Sequence, residues 1–200
     1  MDLNSIPFVG ARFFHTGRTK PIQLIVMHTM EAPLTPGRAR AAAQDFKTTS
    51  TQKSAHFCVD QTEIIQCVKI ENTAFACING NANGINIELA AATNDVGKPP
   101  HIVEHAWTLE RWARPDAQEM LDLAAELAAT LCEQHNIPPQ PAKFAGKSNP
   151  AVVTAGFCEH RDVPLHGTHT DCGDAFPFEE FLARVRSRLS THEAGAGAHD

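Results

Sequence analysis

The run Ile22-Gln23-Leu24-Ile25-Val26-Met27 ends on His28, and this junction constrains the chain more than any other feature. A short apolar run rich in β-branched and aliphatic residues fits a central strand, one that delivers an imidazole at its carboxyl end. Far along the chain lie Glu159-His160-Arg161-Asp162-Val163 and His169-Thr170-Asp171-Cys172-Gly173. Two histidines and a nearby carboxylate are ligand types that zinc accepts. Three protein ligands beside one open position is the arrangement of a hydrolytic zinc site. Spacing alone does not select the set, because 11 histidines allow many accidental triads. By itself His28 reads more readily as a satisfied core histidine than as a ligand.

Further strands and helices follow from periodicity. Ile85-Asn86-Ile87-Glu88-Leu89 alternates strictly, so Glu88 shares a face with Asn86 while the isoleucines face the other way. A carboxylate there is either an edge contact with solvent or a site residue. The stretches 55–60 and 64–68 flank Gln61-Thr62-Glu63 and predict a hairpin that carries His56, a site-wall or a structural residue. Another strand is expected over Val152–Cys158, leading into Glu159. An Ala-rich helix is predicted from Arg38 to Lys47. A longer one runs from Pro115 to about Gln134, with Met120, Leu123, Leu127 and Leu131 as its core stripe. A last helix spans about Glu179–Leu189, and its Arg184, Arg186 and Arg188 read as a solvated face matched to the helix dipole.

The remaining stretches read as connections. Residues 1–20 form an irregular lead-in that packs Phe8, Phe13 and Phe14 on the domain, while 94–107 and 137–150 are loops, the first a candidate border of a substrate groove. Strands and helices interleave without a strict βαβ repeat. The expected fold is therefore α/β, a single domain over 1–190 with a central mixed β-sheet and helices packed on both faces. The tail 191–200, ending EAGAGAHD, is small and polar and is expected to be disordered.

Composition excludes some partners. A net charge of −6 argues against nucleic acid, which asks for a basic face. No run of about 18 apolar residues offers a membrane span. Met1-Asp2-Leu3-Asn4-Ser5 lacks the basic start and apolar core of a signal peptide, so cytoplasmic synthesis is expected. The six cysteines include no CxxC pair, which argues against a four-cysteine zinc ribbon and, without a secretion signal, favours buried free thiols.

Several segments resemble one family. Ile25-Val26-Met27-His28-Thr29, Ser54-Ala55-His56-Phe57, Gly84-Ile85-Asn86-Ile87-Glu88-Leu89 and His160-Arg161-Asp162 occur in the order seen in type 2 N-acetylmuramoyl-L-alanine amidases. The stretch Thr170–Phe178 is similar to that family's closing TDPGPAFPW-like signature. The family includes phage endolysins, bacterial amidases and the animal peptidoglycan recognition proteins, and the resemblance covers roughly residues 20–190.

The resemblance implies Zn2+ held by His28, His160 and Asp171, and cleavage of the amide between the lactyl group of N-acetylmuramic acid and L-alanine. It matches Glu88 to the family's glutamate, suited to carry a proton from water to the leaving amine. It places His169 where the family often has lysine, as a donor to the oxyanion. Lysine is charged at ordinary pH, whereas a histidine of reference pKa ~6.5 need not be. Cys172 replaces the usual proline and stands as the rival third ligand, and His166 as the rival to His169. Ala76 replaces a frequent site histidine. Asp162 reads as a residue that orients a ligand or a loop, and Glu159 as a solvent-exposed neighbour. The implied partner is peptidoglycan or a muropeptide, met by a monomer. A phage endolysin is the leading expectation; a cytoplasmic muropeptide-recycling amidase and a non-catalytic peptidoglycan-binding module are the alternatives.

Overall fold

The computed structural model describes the backbone of residues 1–196 and the side chains of 1–191. In chain order the elements are β1 (Phe14–His15), β2 (Leu24–Thr29), α1 (Arg38–Thr48), β3 (Phe57–Val59), β4 (Ile64–Gln66), β5 (Thr73–Ala74) and β6 (Gly84–Leu89). There follow β7 (Val96–Lys98), β8 (His101–Glu104), α2 (Leu109–Trp112), α3 (Pro115–His135), β9 (Lys143–Gly146), β10 (Asn149–Thr154), β11 (Gly156–Glu159) and α4 (Phe178–Ala196). The central sheet has the order β11-β2-β6-β3-β4; its first four strands are parallel and β4 returns antiparallel to β3. This is the mixed α/β sheet expected from the sequence.

Alternation sorts the side chains between two layers. Ile25 and Met27 of β2 and Ile85, Ile87 and Leu89 of β6 face one side, where they pack with Met120, Leu121 and Leu127 of α3 and Phe181 and Val185 of α4. Fully burying one such side chain stabilises the fold by about 1.5–3 kcal/mol. On the opposite side Cys58 and Ile65 meet Ala39, Ala43 and Phe46 of α1. Pro115 opens α3 at its first turn, where a missing N–H costs nothing. The start of α1 is held from outside: buried Asp60, just after β3, accepts the Ala39 N–H at 2.9 Å. No helix among the described residues is long and apolar enough to cross a membrane.

Several expectations are corrected. The segment 94–107 holds the hairpin β7–β8, because Pro99 and Pro100 occupy its turn and leave the flanking residues free to pair. The expected loop at 137–150 contains β9, which pairs with β10. The expected strand 152–158 is two strands, β10 outside the central sheet and β11 beside β2. The break falls at Ala155, and Gly156 opens β11 at a point where a Cβ would lie 2.1 Å from the Gln140 carbonyl oxygen. Phe8 and Phe14 are exposed rather than packed on the domain.

The last helix continues to Ala196, so its arginines sit in mid-helix. Arg184 and Arg188 bond Asp122 at 2.7 and 2.9 Å, and Arg188 reaches Glu126, which fastens α4 to α3. They are not a free solvated face. The tail expectation covers 191–196, which is helical here, and 197–200, which lie outside the described residues. All six cysteines are buried and free.

Candidate metal centre

The centre is assembled at the carboxyl ends of parallel strands, the usual place for a site in open α/β sheets. Adjacent strands β2 and β6 pair His28 with Glu88 in register, on the face opposite the isoleucine core. His160 opens a 3-10 turn directly after β11, the strand on the other side of β2. Asp171 comes from the loop beyond, which is tied back by the Arg161 N–H donating to the Asp171 carbonyl at 3.0 Å. The three side chains thus arrive from separate elements.

Their donor atoms converge. Asp171 Oδ2 lies 3.1 Å from His28 Nδ1 and 3.3 Å from His160 Nδ1, and one ligand atom from each residue falls within 4.8 Å of the others. His28 Nε2 lies 3.0 Å from Asn86 Oδ1 and donates its proton there, so Nδ1 turns its lone pair to the site. Two imidazole nitrogens and a carboxylate oxygen gathered at one point can share a cation between them, a proton or a metal ion. Zinc–nitrogen distances of about 2.0–2.1 Å in a tetrahedral shell put neighbouring ligand atoms roughly 3.3 Å apart. The donor set and its spacing fit zinc.

The electrostatics agree. Burial opposes ionisation of Asp171, but hydrogen bonds from His160 and His28 outweigh it and hold the carboxyl well below its ordinary range. Burial opposes charge on His28 too, yet Asp171 and Glu88 raise its pKa. A proton is therefore held where a metal ion could sit, and a metal bound there would displace it. Glu88 is pushed up to about 7, first by burial, with His28 pulling the other way. Its Oε2 has no hydrogen-bond partner among the described residues.

A cavity of about 420 Å³ opens over these groups, and His28, Glu88, His160, His169 and Asp171 all line it. His169 is at the mouth, its side chain 59% exposed, its ring stacked on His160 at 4.1 Å and its Nδ1 3.7 Å from Asp171 Oδ1. Ala76 and Phe75 form part of the wall. Cys172 points into the apolar core instead of the cluster. His166 lines neighbouring clefts and not this cavity. The hairpin β7–β8 contributes nothing to its lining.

His56 lies behind the site. Its Nδ1 accepts the Asn86 N–H at 3.0 Å, and burial followed by the Arg18 charge lowers its pKa to about 3. It is a neutral structural imidazole. Glu159 is not solvent-exposed: it is 4% accessible and accepts the Cys172 N–H at 3.0 Å, so it braces the Asp171 loop. Asp162 orients that turn by accepting the Glu159 N–H at 3.0 Å.

Two contributors were missed in the sequence. Asn86 orients His28, and the alternation that placed it beside Glu88 was the available signal. Glu31 adopts φ 51° and joins the rims of the site. Its carboxylate accepts from the Thr29 hydroxyl at 2.7 Å, the Thr93 N–H at 3.0 Å and the Asn94 N–H at 2.9 Å, and Asn94 in turn reaches Thr170. Thr29 follows His28 and Thr170 precedes Asp171, so one side chain steadies both neighbourhoods. Nothing in the local sequence encodes that clamp.

A mixed α/β sheet that gathers two histidines and an aspartate under an open cleft offers three donors to one metal ion. The sequence profile described as N-acetylmuramoyl-L-alanine amidase matches residues 18–174, and the chain belongs to that family. Solved structures share the fold. The Staphylococcus aureus hydrolase AmiA, in complex with its ligand, superposes with TM-score 0.65 at 14% identity, covering 97% of this chain and 87% of that one. The E90A mutant of PlyL gives 0.60 at 16%, covering 92% and 99%. The endolysin N-acetylmuramoyl-L-alanine amidase LysCS from Clostridium intestinale URNW gives 0.55 at 16%, covering 92% and 97%. No curated protein sequence matches the chain.

Proposed function

We propose that this amidase is zinc-dependent, that it cleaves the bond between N-acetylmuramic acid and L-alanine in peptidoglycan, and that it serves as a phage endolysin. The observation that carries the reading is the convergence of His28, His160 and Asp171 beneath an open cavity. These three residues would hold the ion. Bound zinc supplies a Lewis acid for the scissile carbonyl and brings the pKa of water toward ~7.

The chain's own groups do the rest. Glu88, buried and poised at about 7, is matched to accept a proton from water and release it to the departing amine near neutral pH. His169, at the mouth and stacked on His160, can donate to the oxyanion as the carbonyl becomes tetrahedral. Asn86 keeps the His28 ring oriented. The endolysin role is supported by likeness to proteins such as LysCS. It is tested by turnover of intact sacculi against soluble muropeptides. Efficient solubilisation of sacculi is expected; activity confined to soluble fragments would replace the endolysin by a recycling enzyme.

A further inference from the structure

A second cavity, of about 370 Å³, lies beside the first, and Phe75 lines both. Its size falls within the ~300–1,000 Å³ of ordinary ligand pockets. The two differ in charge. The catalytic cavity carries Glu31, Asp45 and Lys53 in its lining, a mixture suited to the charged groups of a peptide. The second has no acidic residue and no lysine. Its Arg18 is spent on the fold, donating to the Ile70 carbonyl at 2.6 Å and the Gly84 carbonyl at 3.1 Å.

What remains is apolar surface edged by neutral polar groups. Ile78 is 87% exposed, an unusual position for an isoleucine, and the His15 and Phe75 rings meet edge to face at 5.4 Å. The hydroxyls of Thr16 and Thr19 make no hydrogen bond among the described residues, and both line the cavity. A pyranose ring has this character in reverse, with an apolar C–H face and a rim of neutral hydroxyls. A peptide stem with ionised ends does not.

We propose that the second cavity binds the neutral saccharide unit adjoining the muramoyl residue under attack, so that the glycan runs past Phe75 while the peptide stem occupies the charged cavity. The proposal rests on the amidase reading above. It makes the protein selective for polymeric glycan over single-sugar fragments.

The double variant His15→Ala/Ile78→Ser tests it, since both side chains are at the surface. For this variant, kcat/KM on glycan strands bearing peptide stems should fall about tenfold through KM, equivalent to about 1.4 kcal/mol of lost contact. On a single-sugar N-acetylmuramoyl peptide it should stay within about twofold of the parent. Titration of the parent with a neutral N-acetylglucosamine tetramer should shift the amide resonances of residues 15–19 and 78. An equal fall on both substrates, no fall on the polymer, or an absence of shifts overturns the proposal. If the parent cleaves neither substrate, the amidase reading fails instead, and the tetramer titration still decides whether the cavity binds saccharide.

Discussion

The two faces of β6 carry residues of the same strand to opposite ends. Ile85, Ile87 and Leu89 are fully buried in a dry layer against α3 and α4. Between them, Asn86 and Glu88 turn to a layer of imidazoles and carboxylates, and Glu88 Oε2 is left without a partner among the described residues. One face is satisfied by packing alone. The other keeps a carboxyl oxygen unsatisfied among the described residues, which lowers stability and, under the proposed function, would supply chemistry. Substitutions on the polar face should therefore cost function, and those on the dry face should cost stability.

The largest effect is expected from Glu88→Gln. Activity on a muramoyl amide should fall about 10²–10⁴-fold, while zinc content stays and the thermal midpoint holds or rises. An unfolded or zinc-free variant would break the comparison. On the dry face, Ile87→Ala should cost about 2–5 kcal/mol in urea denaturation, with kcat unchanged wherever the variant is folded. A selective loss of kcat there would show that the faces are not separable.

Asn86→Ala sharpens the contrast from the polar side. Freed from its hydrogen bond, the His28 ring should bind zinc about 10–100-fold more weakly, as read by competition with a chelator. An unchanged affinity would mean that packing alone orients the ring. The smallest effect belongs to the α3–α4 seam. Arg188→Ala should cost about 0.2–1 kcal/mol and leave both zinc and activity alone, because its ion pairs with Asp122 and Glu126 are partly solvated.

Legibility in the sequence followed periodicity. The 85–89 alternation, the apolar run into His28, the hairpin about 61–63 and the Pro115 helix were readable, because each has a local period and a local start or stop signal. Glycine and proline were misread: Pro99 and Pro100 hid the β7–β8 hairpin, and Gly156, which opens β11, was read as the interior of one continuous strand. Arg184 and Arg188 looked solvated because their partners lie on α3, more than 60 residues away in sequence. Glu159 looked exposed because its partner, the peptide N–H of Cys172, is delivered by the loop beyond the 3-10 turn. For the site, the family resemblance rather than spacing pointed to His28, His160, Asp171, Glu88 and His169, and the fold brings all five to one cavity. Glu31 was hidden, since a carboxylate that clamps two loops has no signature along its own strand.

The most direct test is zinc content measured together with muramoyl-amide cleavage, in the intact protein and in His160→Ala. The account predicts stoichiometric zinc and cleavage in the first, and loss of both in the second. Full activity in a zinc-free His160→Ala protein would contradict it and leave only the fold.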